Sequence, residues 1–485
     1  MNKQIDQDSK KKSNIKSNAM LNMIKQVCTV AFPLITFPYV SRILGTDNFG
    51  KVSFVNSIIS YFSLIAGLGI STYAVREGAR IKNNKEKMTA FVNEVYSINV
   101  CSSGLSLLLL LILVCFWNKL HAYSLLIFIY SFVIILTVIG SDWVNVIFED
   151  FRYITLRYIV IQILCLVPIF CFVKKPNDYY IYTVILVLSG YGGNLLNLHY
   201  IRRYVKRRFT FRLNLKKHIK PILVLFSSMV AVRIYLSSDV TMIGVMCNDS
   251  ETGIYGAVSK IYTIAKELIN AITMVIIPRV SSLLNENRME EYNVLAERVL
   301  KIILAFIMPM AVGLIVLSRD AIFIVNGVEY MDGNIALRLL SLALPFAVLS
   351  CFFSNAILIP NRKEEVYLTS TSLAAVVNII LNLFFINLWG MNGAAITTII
   401  AEIIVFISVI TNCRSLVDAK IGKRNIVSIV IGCTFVACVC IFIQETIANV
   451  ILRVAISLVV SVLGYFVILI LCKNDIINFG HQKRK

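Results

Sequence analysis

Apolar residues run along this chain in long blocks, and polar residues gather in the short intervals between them. Leu105–Phe116, Leu125–Ile139 and Ile456–Cys472 are typical blocks. A helix needs about 20 residues to cross the hydrocarbon core of a bilayer, and segments apolar on every side suit that solvent. Strands of a membrane barrel would instead alternate apolar and polar residues over about ten positions. The pattern predicts about fourteen spans, near 21–42, 50–73, 91–116, 121–147, 153–173, 179–201, 219–244, 252–278, 297–318, 335–359, 367–389, 393–413, 426–443 and 451–472. Proline falls inside several of them. The first span carries both Pro33 and Pro38, which makes it the leading candidate for a kink, tolerable where neighbouring helices satisfy the freed carbonyls.

The polar intervals set the orientation. With the N-terminus in the cytoplasm, 35 of the 47 Lys and Arg residues fall on the inner side, eight on the outer side and four within spans. Basic residues concentrate on the cytoplasmic side of membrane proteins, so both termini are expected inside and the span number even. Nine of the basic residues lie in 202–220, between two segments that open alike. Gly50-Lys-Val-Ser53 and Gly256-Ala-Val-Ser259 stand 206 residues apart, as a duplicated lobe would place them. The expected organisation is an all-α integral membrane protein of two six-helix lobes and an appended helix pair. Its parts are a cytoplasmic N-tail at 1–20, read as disordered, an N-lobe at 21–215, a C-lobe at 216–415, and a last pair with a basic tail at 416–485.

Composition agrees. Of 485 residues, 58% are hydrophobic and 15% charged, against roughly a quarter charged in a soluble domain. The net charge of +20 is carried by loops and is read as membrane topology, with no nucleic acid as partner. The twelve cysteines contain no C-x-x-C pair and mostly sit in apolar blocks, where cysteine packs as a small hydrophobe. The four histidines, at 121, 199, 218 and 481, are far apart. No metal site, nucleotide loop or nucleophile elbow is found, so neither a cofactor nor an enzyme is expected.

Ionisable residues at membrane depth are rare and mark cavities or partners. Arg233 lies ten residues from the outer end of its span, and Lys260 lies eight residues into the next. A rise of 1.5 Å per residue puts both roughly 12–15 Å deep, with Lys266 and Glu267 deeper. One reading is an anion site in the C-lobe; the other is charge pairing, with Arg233 held by Asp239 or Glu267. Glu402, Asp239 and Glu267 are the candidates for coupling to H⁺ or Na⁺. Asn378 and Asn382, four apart on one helix face, are candidates for sugar hydroxyls, since amides both donate and accept. Lys25, a few residues into the first span, is read as reaching back to the interface. Asp142 and Trp143 are read as an interfacial pair. Gly45, Gly50, Gly253, Gly256, Gly390 and Gly393 are read as outer turns.

Four stretches carry a resemblance. They are Phe32-Pro-Leu-Ile-Thr-Phe-Pro-Tyr-Val-Ser-Arg-Ile-Leu-Gly45 with Phe49-Gly50; Asp142-Trp143 with Glu149-Asp150-Phe-Arg-Tyr-Ile-Thr-Leu-Arg157; Asp239-Val-Thr-Met-Ile-Gly244 with Gly253-Ile-Tyr-Gly-Ala-Val-Ser-Lys-Ile261; and Gly390-Met-Asn-Gly-Ala-Ala395. Together they resemble bacterial polysaccharide-export flippases of the Wzx type. That family belongs to the superfamily that also holds MATE drug antiporters and lipid II flippases. The resemblance implies a MATE-like pair of lobes in the bacterial cytoplasmic (inner) membrane, opening alternately to the two sides. It implies an undecaprenyl-diphosphate oligosaccharide as cargo, carried to the outer leaflet, and other polysaccharide-assembly membrane proteins as partners. The competing readings are a drug or cation antiporter of the same fold, a lipid II flippase, and a membrane polymerase or ligase.

Overall fold

The computed structural model describes residues 2–211, 214–418 and 421–475; the end of the expected basic C-tail, 476–485, lies outside them. The described residues fold into helices. In chain order they are α1 (Asn2–Gly67), α2 (Ile70–Ile81), α3 (Lys85–Phe116), α4 (Asn118–His121), α5 (Ser124–Gly140), α6 (Trp143–Ile147), α7 (Phe151–Phe172), α8 (Tyr179–Val187) and α9 (Gly193–Tyr200). There follow α10 (Leu215–Met246), α11 (Asp249–Asn285), α12 (Met289–Val316), α13 (Ser318–Asn326), α14 (Asn334–Phe353), α15 (Glu364–Cys413), α16 (Lys423–Thr446) and α17 (Val450–Leu471). Among the described residues, eleven segments are long and apolar enough to cross a membrane. The protein is a multi-pass membrane protein.

Several helices are inside out by the standards of a soluble protein. In α3, Ser97, Ser102, Ser103 and Ser106 are buried, while Leu105, Leu108 and Leu111 are more than half exposed. The buried groups do work: Asn99 Nδ2 and Ser102 Oγ donate to the Ala66 carbonyl at 2.8 and 2.6 Å, and Ser106 Oγ to Phe62 O at 2.6 Å. Hydrocarbon gives leucine no reason to turn inward, so small and polar residues make the helix contacts. α17 repeats the pattern, with Ser457 and Ser461 buried and Val459 and Leu463 exposed.

Helix starts follow short-range chemistry. Asn84, Asp150, Asn248 and Asn449 each accept from a backbone N–H of the first turn, which satisfies a donor the helix leaves open. Two helices are too long for one crossing, and each is interrupted at a glycine with positive φ. Gly45 (φ 69°) breaks α1 and Gly390 (φ 54°) breaks α15. The break in α1 is therefore at Gly45, beyond Pro33 and Pro38, which lie within helix. Of the six glycines read as turns, these two are turns. Gly50, Gly253, Gly256 and Gly393 lie inside α1, α11 and α15.

The chain forms two compact units, Met1–Ser237 and Ser238–Lys485. The division falls inside α10 and not in the basic stretch before it. The reason lies at the start of α10, which is fastened to the first unit. His218 is fully buried, with Nδ1 2.6 Å from the Tyr73 hydroxyl and Nε2 2.6 Å from Glu94 Oε2. Ile222, one turn on, joins the apolar cluster of Tyr73, Met88, Phe91, Val92 and Trp143.

Candidate functional site

Three polar centres stand out within the apolar helices. Two lie in the second unit, and α15 builds both. Gly390 lets the chain double back, and the return is tight: a methyl group on Gly393 would fall 2.0 Å from the Phe385 carbonyl oxygen. The hairpin brings Asn378 and Asn382 of its first half against Thr397 and Thr398 of its second. Asp239 of α10 enters this cluster. Its Oδ1 accepts from Asn382 Nδ2 at 2.7 Å, and its Oδ2 from Tyr255 OH at 2.8 Å and Thr398 Oγ1 at 2.6 Å. Asn378 Oδ1 accepts from Ser238 Oγ and from Asn382 Nδ2, both at 3.0 Å. Thr397 Oγ1 donates to Asn382 Oδ1. Ser238, Asn378, Asn382 and Thr397 are all at most 4% exposed. The donors to Asp239 are neutral, and no ion pair to it is found among the described residues.

The next centre lies one helical turn along. Glu402 follows Thr398 by four residues, about 6 Å at the helical rise, and is 4% exposed. Its Oε1 accepts from Tyr262 OH at 3.2 Å and Lys266 Nζ at 3.3 Å. With Asp239 and Glu402 against Lys266, the two neighbouring centres carry one formal negative charge in excess.

The third centre, in the first unit, is a cavity of about 350 Å³. Lys25, Asp142, Trp143, Arg157, Tyr158 and Asn194 are among its lining residues. Arg157 is 9% exposed, and its Nη2 donates to Asp142 Oδ1 at 2.8 Å and Oδ2 at 2.6 Å. Asn197 Nδ2 donates to the same Oδ1 at 2.9 Å. A π-helical turn at Leu188–Gly192 forms one wall; such turns are rare and recur at functional sites.

The sequence candidates thus divide. Asp239, Asn378 and Asn382 meet directly, and Lys266 meets Glu402. Arg233 and Lys260 are both exposed, and neither has an ion pair among the described residues. Glu267 has none either. The Asp239–Arg233 pair considered from sequence is not formed, because hydroxyls and an amide occupy the carboxylate. Tyr255, Tyr262, Thr397 and Thr398 were not singled out from sequence; hydroxyl residues in apolar helices are common, and only the fold shows which of them face a carboxylate. Arg157 was missed because it stands close enough to a loop to be counted as a topology charge. Its seventh place in an apolar segment was the available signal.

The chain matches the family described as "Polysaccharide biosynthesis protein" over residues 15–284, more than half its length, and belongs to that family. Among curated proteins it is similar to a "Putative O-antigen transporter" of Escherichia coli (strain K12), 25% identical over 419 residues, covering 81% of this chain and 95% of the relative. A protein of the same name from Shigella dysenteriae is 23% identical over 402 residues, covering 81% and 98%. Both relatives are named as transporters, not enzymes. Among solved structures the fold is similar to the lipid II flippase MurJ in an inward closed conformation, with a TM-score of 0.75 at 17% identity over 95% of this chain and 99% of that one. It is also similar to an inward-facing multidrug-resistance MATE family transporter, with a TM-score of 0.59 at 16% identity over 79% and 93%. The family resemblance read from the residues holds.

Proposed function

We propose that this protein is a flippase of the bacterial cytoplasmic membrane that carries an undecaprenyl-diphosphate-linked oligosaccharide repeat unit from the cytoplasmic to the outer leaflet. The observation that carries the reading is the similarity, over 81% of this chain, to proteins named as O-antigen transporters. The fold likeness to a lipid II flippase supports a cargo of the same general build. The physical task is to take sugars and two phosphates past hydrocarbon, where each unsatisfied polar group costs several kcal/mol. In this reading α1 and α15, broken at Gly45 and Gly390, each cross twice, and α11 crosses once. That gives the fourteen crossings of the hydropathy pattern, with both termini in the cytoplasm.

Transport is coupled to H⁺ or Na⁺ at Asp239. A carboxylate surrounded by neutral oxygen-bearing groups, with no fixed cation, suits a small exchangeable cation. Asn378, Asn382 and Thr398 supply amide and hydroxyl oxygens for that cation, so in this reading the asparagines serve coupling and not sugar recognition. Glu402, with Lys266 as fixed counter-charge, sets the potential of the site, and Glu267 is a further candidate for the coupling. Arg233 in the first unit and Lys260 in the second, each exposed and without an ion pair among the described residues, are separate candidates for contacts to the diphosphate.

The test is purified protein in proteoliposomes with a fluorescent undecaprenyl-diphosphate oligosaccharide, read by its appearance in the opposite leaflet. Wild type should flip faster with an inward H⁺ or Na⁺ gradient. Asp239→Asn should fall to the rate without a gradient. Efflux of a cationic dye with no movement of the lipid would replace this reading with the drug antiporter.

A further inference from the structure

The cavity of the first unit has a charge balance opposite to that of the Asp239 cluster. Its lining holds two cations, Lys25 and Arg157, against the single carboxylate Asp142. Asp142 occupies only Nη2 of Arg157. Nη1 is buried and has no hydrogen-bond partner, although the side chain is just 7% exposed. Arginine is a poor group to leave so, since an unpaired buried donor costs about 1–3 kcal/mol and more when charged. The indole Nε1 of Trp143, another lining residue, is likewise buried and unpartnered. Lys25 forms no ion pair among the described residues. Its Nζ lies 5.7 Å from the centre of the Tyr158 ring, and it lines the same cavity as Asp142 and Arg157.

The room around Arg157 is specific. A methyl group on Gly193 would come 3.1 Å from Arg157 Nε and 3.3 Å from its Cδ, so the glycine admits the guanidinium to the wall. The polar neighbours Thr29, Ser71 and Asn194 complete a lining rich in hydrogen-bonding groups. At about 350 Å³ the space is within the roughly 300–1,000 Å³ of small-ligand sites.

We infer that this cavity is a phosphate-binding subsite, in which Arg157 Nη1, Trp143 Nε1 and Lys25 Nζ hold the phosphate or diphosphate of an amphiphile while Asp142 orients the guanidinium. The ligand is an anion, because every unused polar group named here is a donor. Arginine suits it by offering a planar set of donors to phosphate oxygens. The inference rests on the flippase reading only in taking the diphosphate of the cargo as one source; the other is an ordinary anionic phospholipid.

The chain has three tryptophans, at 117, 143 and 389, so Trp117→Phe with Trp389→Phe leaves Trp143 as the single reporter. We would titrate this full-length protein, in phosphatidylcholine nanodiscs, with inorganic pyrophosphate and with farnesyl diphosphate. Both should shift Trp143 emission saturably. Lys25→Gln should weaken each by about tenfold, the size of one charge-assisted contact. Arg157→Gln alone leaves Asp142 unpaired, so the paired variant Arg157→Gln with Asp142→Asn is used, and it should abolish the shift while the protein stays folded. Discs containing phosphatidylglycerol separate the sources: competition assigns the site to bilayer lipid, and undiminished binding assigns it to the cargo. Binding unchanged in Lys25→Gln and in the paired variant, or no saturable shift in wild type, overturns the inference. The flippase reading fails differently, through a wild type that binds diphosphate in this assay yet moves no lipid-linked oligosaccharide.

Discussion

Asp142 in the first unit and Asp239 in the second are both carboxylates set beside asparagines among apolar helices. Asp142 accepts from Asn197 and from a guanidinium, whereas Asp239 accepts from an amide, a phenol and a threonine hydroxyl. In the first case the negative charge is already answered, and what remains unused is an N–H of the arginine. In the second the partners found among the described residues are all neutral donors. Two sites built from the same kinds of residue thus differ in sign, and the sign is set by one neighbour. The lesson is that the role of a membrane-embedded acid is read from its partners, not from its depth.

The sharpest way to break this comparison is to remove each acid. Asp142→Asn strands the Arg157 charge and should cost on the order of 2–4 kcal/mol of stability, since stranding a buried partner is what makes broken ion pairs expensive. Asp239→Asn strands no charge and should cost under about 1 kcal/mol. Thermal unfolding of the two variants in detergent decides it, and equal losses would erase the distinction. Next in size, Lys266→Met leaves Glu402 buried without its cation and should cost about 3 kcal/mol, largely recovered on adding Glu402→Gln. A double-mutant cycle without recovery would mean that the pair at 3.3 Å carries little coupling.

Gly390→Ala should follow at about 1–3 kcal/mol, through its positive φ. Because that hairpin assembles the Asp239 cluster, ion stimulation of transport should fall with it, while Trp143 emission in the first unit should not change. The smallest effect expected is at Asp150, between α6 and α7. Burial pushes its carboxyl up, but hydrogen bonds from Tyr200, Tyr204 and the Tyr153 backbone N–H outweigh this and hold it below the usual carboxylate range. A lowered value adds stability above the ordinary pKa, which is lost as pH falls through the folded-state value. Asp150→Asn should therefore lower the unfolding temperature slightly at pH 7, and the difference from wild type should close in strong acid.

The sequence was legible where physics is local. Apolar blocks located the helices because hydrocarbon imposes length and composition, and rare charges at depth drew attention to Asp239, Glu402 and Lys266 one by one. Their grouping was not legible. Asp239 and Asn382 stand 143 residues apart and Lys266 and Glu402 stand 136 apart, and no periodicity links them. Arg157 was obscured by its nearness to a loop, and Lys25 by the ease with which lysine reaches an interface. Gly45 and Gly50, five residues apart, read alike in sequence. Only the former has the backbone angle that makes a turn.

α10 passes from one compact unit to the other without a break. Ser237 Oγ is bonded by Ser60 Oγ at 3.4 Å in the first unit, and the next residue, Ser238, donates to Asn378 in the second. The helix is therefore fastened in the first unit at His218 and in the second at Ser238 and Asp239. One run of helical backbone thus joins a buried imidazole in the first unit to a carboxylate in the second that neutral donors hold.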